Sequence, residues 1–277
     1  MVDPLPTSSS SIGTVHKHND ITAMLPKSVL AGRLAAPSFV LPAPIAVNAQ
    51  FLSEKVDEVG LCLFETQTCL AYGQDDLPQA LSVLPLRWHA HLPLDLLWPE
   101  HIRHTSHPAR TAAHASLAIL KKITFLRPRC AILHPPDGPI YWQRRLLADF
   151  LYFWHDATQL PLLLENTAHC DILSLGNSFL HDTGVGLCLD VGHLLGYDQR
   201  RLFTSDLPEQ AALLHWSAPG NHDRHLPLTA MTASQQRTTA TLAARVPRTA
   251  THMIEVFNWN GYLASLPLLA QLVAACP

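Results

Sequence analysis

The chain has 277 residues, of which 48% are hydrophobic and 15% are charged. This composition is typical of a folded globular protein and excludes an intrinsically disordered one. The 19 Lys and Arg residues against 22 Asp and Glu residues give a net charge of −3, without the excess basic charge that duplex DNA binding needs, so we expect no nucleic-acid partner. No stretch reaches the roughly 18 uninterrupted apolar residues of a membrane span, so we expect no membrane partner either.

Residues 1–36 are polar and contain several Ser and Pro residues, which predicts a poorly ordered N-terminal extension outside the core. The segment lacks a basic flank followed by an apolar run, so a secretory signal is not expected. Three cysteines, Cys62, Cys130 and Cys188, lie inside apolar runs and predict free thiols in a reducing compartment. The expected location is therefore the cytoplasm.

From residue 37 to residue 277 the chain alternates short apolar runs with longer amphipathic segments, and we interpret this region as one domain. Most of the short runs are continuously apolar rather than alternating, which is typical of parallel strands that are covered on both faces. In chain order, these predicted strands are residues 38–42, 59–65, 86–92, 130–135, 160–166, 185–193, 212–217 and 252–257.

The segments between these strands include four predicted helices, at residues 110–126, 141–157, 229–246 and 261–275. The first two carry apolar residues at three- and four-residue spacing, and Pro267 is expected to interrupt the last one. Eight strands with intervening helices predict an α/β fold, the (β/α)₈ TIM barrel, with no internal repeat and no second domain.

Charged and imidazole side chains stand where the predicted strands end, and in a TIM barrel these ends form the active site. A carboxylate at the end of an apolar strand is costly unless a cation or hydrogen bonds compensate it. The residues at or just beyond the strand ends are Glu65, His89, His91, His134, Glu165, Asp190, His193, His215, Asp223, His225 and Glu255.

Taken singly, each of these side chains has an alternative interpretation. A lone strand-end histidine such as His134 or His215 is often a hydrogen-bonded rim residue, and Glu165 followed by Asn166 also fits a helix N-cap. Taken together, the mixture of His and carboxylate ligands suits Zn²⁺ first, with Mn²⁺ or Fe²⁺ as alternatives. The "DVGH" spacing places Asp190 and His193 near enough to serve neighbouring ions.

Several motifs, in order, resemble the metal-site motifs of endonuclease IV and the wider xylose-isomerase-like barrel superfamily. They are "HPP" (134–136), "LLLENT" (162–167), "CLDVGH" (188–193), "LLHWS" (213–217), "DRH" (223–225) and "IEVF" (254–257). The resemblance implies three metal sites. It assigns the first to His91, His134 and Glu165, the second to Glu165 as a bridge with Asp190, His215 and Glu255, and the third to His193, Asp223 and His225.

A second resemblance points to one branch of this superfamily. The strings "VDEVGLCLFE" (56–65), "HLPLDLLW" (91–98), "ILHPP" (132–136) and "DRHLPL" (223–228) are similar to the cobamide-remodelling phosphodiesterases (CbiR) over roughly residues 37–260. This resemblance implies a metal-dependent hydrolase that cleaves the nucleotide-loop phosphodiester of cobamides such as cobalamin. The products would be cobinamide phosphate and an α-ribazole-type nucleoside, so the implied partner is a small corrinoid.

The phosphodiesterase interpretation implies roles for particular residues. Glu165 and Glu255 are the predicted catalytic residues, as metal ligands with proton-transfer duties, and the predicted substrate contacts are Glu65, His89 and Asp95. No strand-end Ser or Cys stands in a recognisable nucleophile elbow, which disfavours a covalent mechanism. The sequence carries no signal for an oligomeric state.

Two other enzyme classes share these motifs. An abasic-site DNA repair nuclease would use the same metals, but it needs a positive surface and long loops. A sugar isomerase or epimerase would use one metal with acid/base carboxylates, and the third ligand set speaks against it. A barrel that only binds a ligand does not account for nine filled ligand positions.

Overall fold

The computed structural model describes residues 30–99, 107–176, 178–221 and 224–274. In these ranges eight parallel strands close into a barrel, in which each strand pairs with the preceding one and the last pairs with the first. The barrel strands are β1 (Leu34–Pro37), β2 (Glu58–Cys62), β3 (Arg87–His91), β4 (Ala131–Leu133), β5 (Leu162–Glu165), β6 (Gly186–Asp190), β7 (Ala211–Trp216) and β10 (Thr251–Ile254). The predicted (β/α)₈ TIM barrel is confirmed.

A short antiparallel hairpin, β8 (Ala218–Pro219) and β9 (His225–Leu226), follows β7. The helices between and after the strands in the described ranges are α1 (Ile45–Leu52), α2 (Thr66–Ala71), α3 (Arg110–Ile123), α4 (Ile140–Ala157), α5 (Phe179–Thr183), α6 (Val191–Gly196), α7 (Arg200–Thr204), α8 (Ala233–Ala243) and α9 (Trp259–Ala274). The four helices predicted from the sequence correspond to α3, α4, α8 and α9. None of the helices in this part of the chain is both long and apolar enough to cross a membrane.

The first strand lies earlier than predicted. β1 is Leu34–Pro37, whereas the predicted run at residues 38–42 forms bends, with Phe39 51% exposed. Alanine has low strand propensity, so "LAAP" gives little signal, yet its small side chains fit the buried wall of the barrel. The barrel therefore begins inside the predicted extension of residues 1–36, and residues 1–29 lie outside the described ranges.

The prediction that Pro267 interrupts the last helix is wrong. α9 continues from Trp259 to Ala274 with Pro267 inside it. A proline there removes one backbone hydrogen bond and crowds the preceding turn. The helix nevertheless buries Tyr262, Leu266 and Leu269 against the barrel, and this apolar packing offsets the local cost.

The barrel interior has an apolar layer with a polar layer above it. Cys130, Ile132, Leu163, Cys188 and Leu213 form a buried apolar cluster inside the barrel. Alternate residues of a strand share a face, so the residue two positions further along each strand points inward at the carboxyl end. This register places Glu165 two residues after Leu163, Asp190 two after Cys188, and His215 two after Leu213.

Gly60 of β2 lies where two neighbouring side chains inside the barrel leave no room for a Cβ atom. A Cβ added at Gly60 would lie 2.5 Å from His89 Nε2 and 2.7 Å from Met253 Sδ. We expect Gly60→Ala to lower the free energy of unfolding by about 1–3 kcal/mol, because both neighbours are buried and overpacking forces them to move. Gly73→Ala, where nothing lies within 4 Å, is the control, and equal urea midpoints for the two variants would contradict the prediction.

Candidate metal centre

Five of the predicted ligands meet at the carboxyl end of the barrel. One donor atom from each of Glu165, Asp190, His215 and Glu255 lies within 4.8 Å of the others, and His91 joins Glu165 and His215 within the same limit. All five residues are buried. They come from five different strand ends, so only closure of the barrel brings them together.

Glu165 lies at the centre of this cluster, with imidazole nitrogens near both of its oxygens. Its Oε2 atom is 3.2 Å from His91 Nε2 and 3.3 Å from His215 Nδ1. Its Oε1 atom is 3.4 Å from His134 Nε2 and 3.6 Å from His193 Nδ1. This arrangement suits a carboxylate that bridges two ions, as the sequence motif implied.

The hydrogen bonds of His91 determine which of its ring nitrogens faces the cluster with a lone pair. His91 Nδ1 lies 2.9 Å from the carbonyl oxygen of Leu92. A carbonyl only accepts, so Nδ1 carries the hydrogen, and the neutral ring then has a bare Nε2 directed at Glu165. Two lone pairs 3.2 Å apart repel each other, whereas a cation bound to both makes the contact favourable, and this tautomer is typical of metal-ligating histidines.

Burial and neighbouring charges give the three buried carboxylates of the cluster different pKa values. Burial by itself raises the pKa of Glu255, but His215 and His225 outweigh it and lower the pKa to about 2. Burial likewise raises the pKa of Glu165, and His215 and His134 hold it well below its usual range. Burial raises the pKa of Asp190 above its ordinary value despite the opposing effect of His193.

The residues present fit divalent cations. Among the residues that the structure describes, buried polar atoms without a hydrogen-bond partner occur on His134, Asp190, His215, His225 and Glu255. Buried polar atoms are costly without partners, and here they converge on one place. Mixed imidazole and carboxylate ligands suit Zn²⁺, Mn²⁺ or Fe²⁺, so this cluster can hold such an ion.

Asn166 is a supporting residue that the sequence interpretation missed, because it treated this asparagine only as part of an alternative helix cap. Its side chain accepts a hydrogen bond from the backbone nitrogen of Asp190 at 2.7 Å and donates to the carbonyl oxygen of Asp190 at 2.9 Å. Its own carbonyl oxygen accepts from His193 Nδ1 at 2.8 Å. Asn166 therefore orients two predicted ligands, and the signal for it was a fully buried amide at the end of an apolar strand.

The predicted third site is described in part. His193 is on α6, the half-buried His225 is on β9, and their ring centroids are 5.6 Å apart. His225 Nδ1 lies 3.6 Å from Glu255 Oε2, which joins this pair to the main cluster. Asp223, the remaining predicted ligand, lies outside the described residues.

The three predicted substrate contacts lie in different surroundings. His89 is fully buried inside the barrel, with Nδ1 2.8 Å from Glu58 Oε1, and the structure does not bring it to the surface that a substrate would touch. Asp95 accepts hydrogen bonds from the backbone nitrogen and the hydroxyl of Thr66, both at 2.7 Å, and so links the loop after β3 to the start of α2. Glu65 is exposed at the rim, where it accepts a hydrogen bond from Thr68 at 2.9 Å.

A cleft of about 940 Å³ opens beside the centre, over the carboxyl ends of β3 to β6. His134 and His193 form its inner edge, and its walls are mainly apolar and aromatic, including Leu97, Trp98 and Trp142. Leu97 is 66% exposed. Exposed apolar side chains beside a polar centre are typical of a site for a bulky ligand.

Several solved structures share the TIM-barrel fold of this chain. A D-tagatose 3-epimerase-like protein matches with a TM-score of 0.64 and 13% identity, over 87% of this chain and 97% of the other. Endonuclease IV from Thermus thermophilus matches with a TM-score of 0.60 and 15% identity, over 87% and 98%. A further Thermus thermophilus protein, solved after soaking with ZnCl₂, matches with a TM-score of 0.55 and 19% identity, over 88% and 98%.

No family model and no curated protein matches this chain. The structural matches therefore show the fold, a TIM barrel, as the sequence predicted.

Metal binding is expected to stabilise the folded protein. Because the cluster is assembled only by folding, Zn²⁺ or Mn²⁺ at 100 times its dissociation constant should raise the free energy of unfolding by about 2.7 kcal/mol. The gain should shrink as the pH falls, because protons compete for the imidazole nitrogens. Burial lowers the pKa of His215, but Cys188, Glu255 and Glu165 outweigh it and hold this pKa well above its usual range, so the competition begins above the ordinary pKa of histidine. Thermal melts with EDTA and with added metal measure this effect. A melting temperature that does not respond to metal at neutral pH would contradict it.

Proposed function

We propose that this protein is a metal-dependent phosphodiesterase that hydrolyses the nucleotide-loop phosphodiester of cobamides, giving cobinamide phosphate and an α-ribazole-type nucleoside. The observation that carries the hydrolytic part is Glu165, which has imidazole nitrogens within 3.6 Å of both oxygens and so is arranged to serve two ions. The choice of cobamides rests on the sequence resemblance and is supported by the shape of the cleft.

The residues of the centre form two sets of candidate metal ligands. His91 and His134 would hold one ion with Glu165, and Asp190, His215 and Glu255 would hold a second ion with the same carboxylate. Divalent cations make hydroxide available near neutral pH and stabilise charge on phosphate oxygens during in-line displacement. Glu255, with its pKa lowered to about 2, remains ionised and is suited to ligation.

The composition of the cleft favours a bulky substrate with both apolar and polar surfaces over DNA. Its walls carry Trp98 and Trp142, and the described residues that line it include neither Lys nor Arg. A nuclease that tracks a phosphate backbone needs such cations, and the net charge of −3 argues in the same direction. A corrinoid ring with a pendant phosphodiester fits both the apolar wall and the metal centre.

Two alternatives use the same fold. An abasic-site nuclease is favoured by the similarity to endonuclease IV, and a sugar epimerase by the similarity to the tagatose 3-epimerase-like protein. Against the epimerase stands the pair His193 and His225, which extends the ligand set beyond one ion. The nuclease is disfavoured because the described residues that line the cleft include neither Lys nor Arg.

Incubation of the purified protein with adenosylcobalamin tests the proposal, with cobinamide phosphate as the product to detect. Abasic duplex DNA and a ketohexose are the parallel substrates. We expect cobamide cleavage that EDTA abolishes and that added Zn²⁺ or Mn²⁺ restores. Efficient incision of abasic DNA with cobamides untouched would replace the proposal by the repair nuclease, and sugar epimerisation alone would replace it by the epimerase.

A further inference from the structure

A second, smaller cavity of about 290 Å³ lies at the carboxyl ends of β1 and β2. Its walls include the aromatic rings of Phe39, Phe64 and Tyr72 together with Ile45, and Glu65 lies at its edge. Strands four apart in an eight-stranded barrel face each other across the mouth, so this cavity lies opposite the part of the large cleft that β5 and β6 carry.

This cavity, which we call the β1–β2 pocket, adjoins the metal centre. The ring of Phe64 packs edge-on against the imidazole of His91, with centroids 5.2 Å apart. Cys62, which also lines the pocket, is paired with His91 in the strand register. A group bound in the β1–β2 pocket is therefore separated from a predicted metal ligand by a single side chain.

The chemistry of the pocket specifies its occupant. A volume near 290 Å³ is at the small end of the range for ligand sites, about 300–1,000 Å³, and suits one planar ring system rather than a macrocycle. Phe39 is 51% exposed, so a large apolar surface is left in contact with solvent, and aromatic walls favour stacked or edge-on rings. The carboxylate of Glu65 is an acceptor for an N–H or O–H group at the edge of such a ring.

We infer that the β1–β2 pocket binds a planar bicyclic heteroaromatic ring on one ester arm of the phosphodiester, while the other arm occupies the large cleft. This inference rests on the proposed function for the position of the phosphodiester between the two cavities. The ring is held by Phe39, Phe64 and Tyr72, and Glu65 accepts a hydrogen bond from a hydroxyl of the sugar to which the ring is attached.

Indole is the probe, because it is planar and bicyclic and has no lone-pair nitrogen to bind a metal. Calorimetric titration of the full chain should show millimolar or tighter binding of indole. Benzofuran, which has the same shape, should bind with similar affinity, because the aromatic walls hold the ring. Cyclohexanol, which is not planar, should bind at least several-fold more weakly.

The matched variants are Thr68→Trp and Gln67→Trp, at neighbouring exposed positions of α2. Thr68 lines the pocket and Gln67 does not. Thr68→Trp should weaken indole binding at least tenfold and raise the KM for the cobamide more than it lowers kcat. Gln67→Trp should change neither. Circular dichroism melts confirm that both variants fold.

Binding of indole that Thr68→Trp leaves unchanged, or an absence of binding to the parent protein, would overturn the inference. Failure of the proposed function has a different signature. In that case indole binding still responds to Thr68→Trp, but no phosphodiester is cleaved. Cobamide cleavage without indole binding leaves the proposed function standing and removes the pocket from it.

Discussion

Glu165→Gln should abolish divalent metal binding at the centre and lower phosphodiester hydrolysis by roughly three orders of magnitude or more. Loss of a single group that stabilises transition-state charge costs about 10²–10³ in kcat, and Glu165 lies beside imidazoles of two predicted ion sites at once, His91 of the first and His215 of the second. Glutamine keeps the shape but removes the negative charge and one acceptor oxygen. Elemental analysis and single-turnover hydrolysis measure the two effects.

The control for this change is Glu54→Gln, at an exposed position outside the described site. It should retain the metal content and the rate of the parent protein. A circular dichroism melt checks that the Glu165 variant folds, because removing one partner of a buried charge pair lowers stability. A folded Glu165→Gln protein with full metal content and near-normal turnover would show that the bridging interpretation is wrong.

His225→Ala should keep the fold and lose hydrolysis by roughly two orders of magnitude or more, comparable to the loss of one electrostatic contact in the transition state. His225 is half-buried on the β9 strand of a two-stranded hairpin, so it supports little core packing. Its ring nevertheless lies between Phe257, with centroids 5.4 Å apart, and His193. Its Nδ1 atom is also 3.6 Å from Glu255 Oε2.

A thermal melt and a cobamide hydrolysis assay on the same samples test this prediction. His181→Ala is the control, because the side chain of His181 is 92% exposed and pairs with the exposed Asp182. Under a single-metal epimerase mechanism, His225→Ala would spare most of the chemistry. Near-normal turnover by the folded variant would remove the hairpin from the active site.

The residues at the strand ends are the part of the site that the sequence predicts. A charged residue after an apolar run, as in "LLLE" before Asn166 or "CLD" before Val191, can be recognised from the sequence alone because it interrupts a strong local pattern. The (β/α)₈ fold then implies that such residues share one rim. The structure confirms the fold and brings His91, Glu165, Asp190, His215 and Glu255 together.

The surroundings of the predicted substrate contacts were not visible in the sequence, because they depend on which way a side chain points. His89 precedes His91 by two residues and so shares its inward face, but it lies one layer deeper, where its partner is Glu58. Asp95 accepts hydrogen bonds from Thr66, at the start of α2. Neither outcome is encoded in local pattern, since each depends on a residue 29 or more positions away.

The sequence by itself determined the class of fold and the kinds of ligand at the rim, because both follow from hydrophobic periodicity and from charges that interrupt it. Only the tertiary structure decided the start of the barrel at Leu34, the continuity of α9 through Pro267 and the role of Asn166. It also placed aromatic side chains from separate loops around two cavities. These features arise from packing and hydrogen bonds between distant segments, and their energies exceed the local preferences that a sequence pattern records.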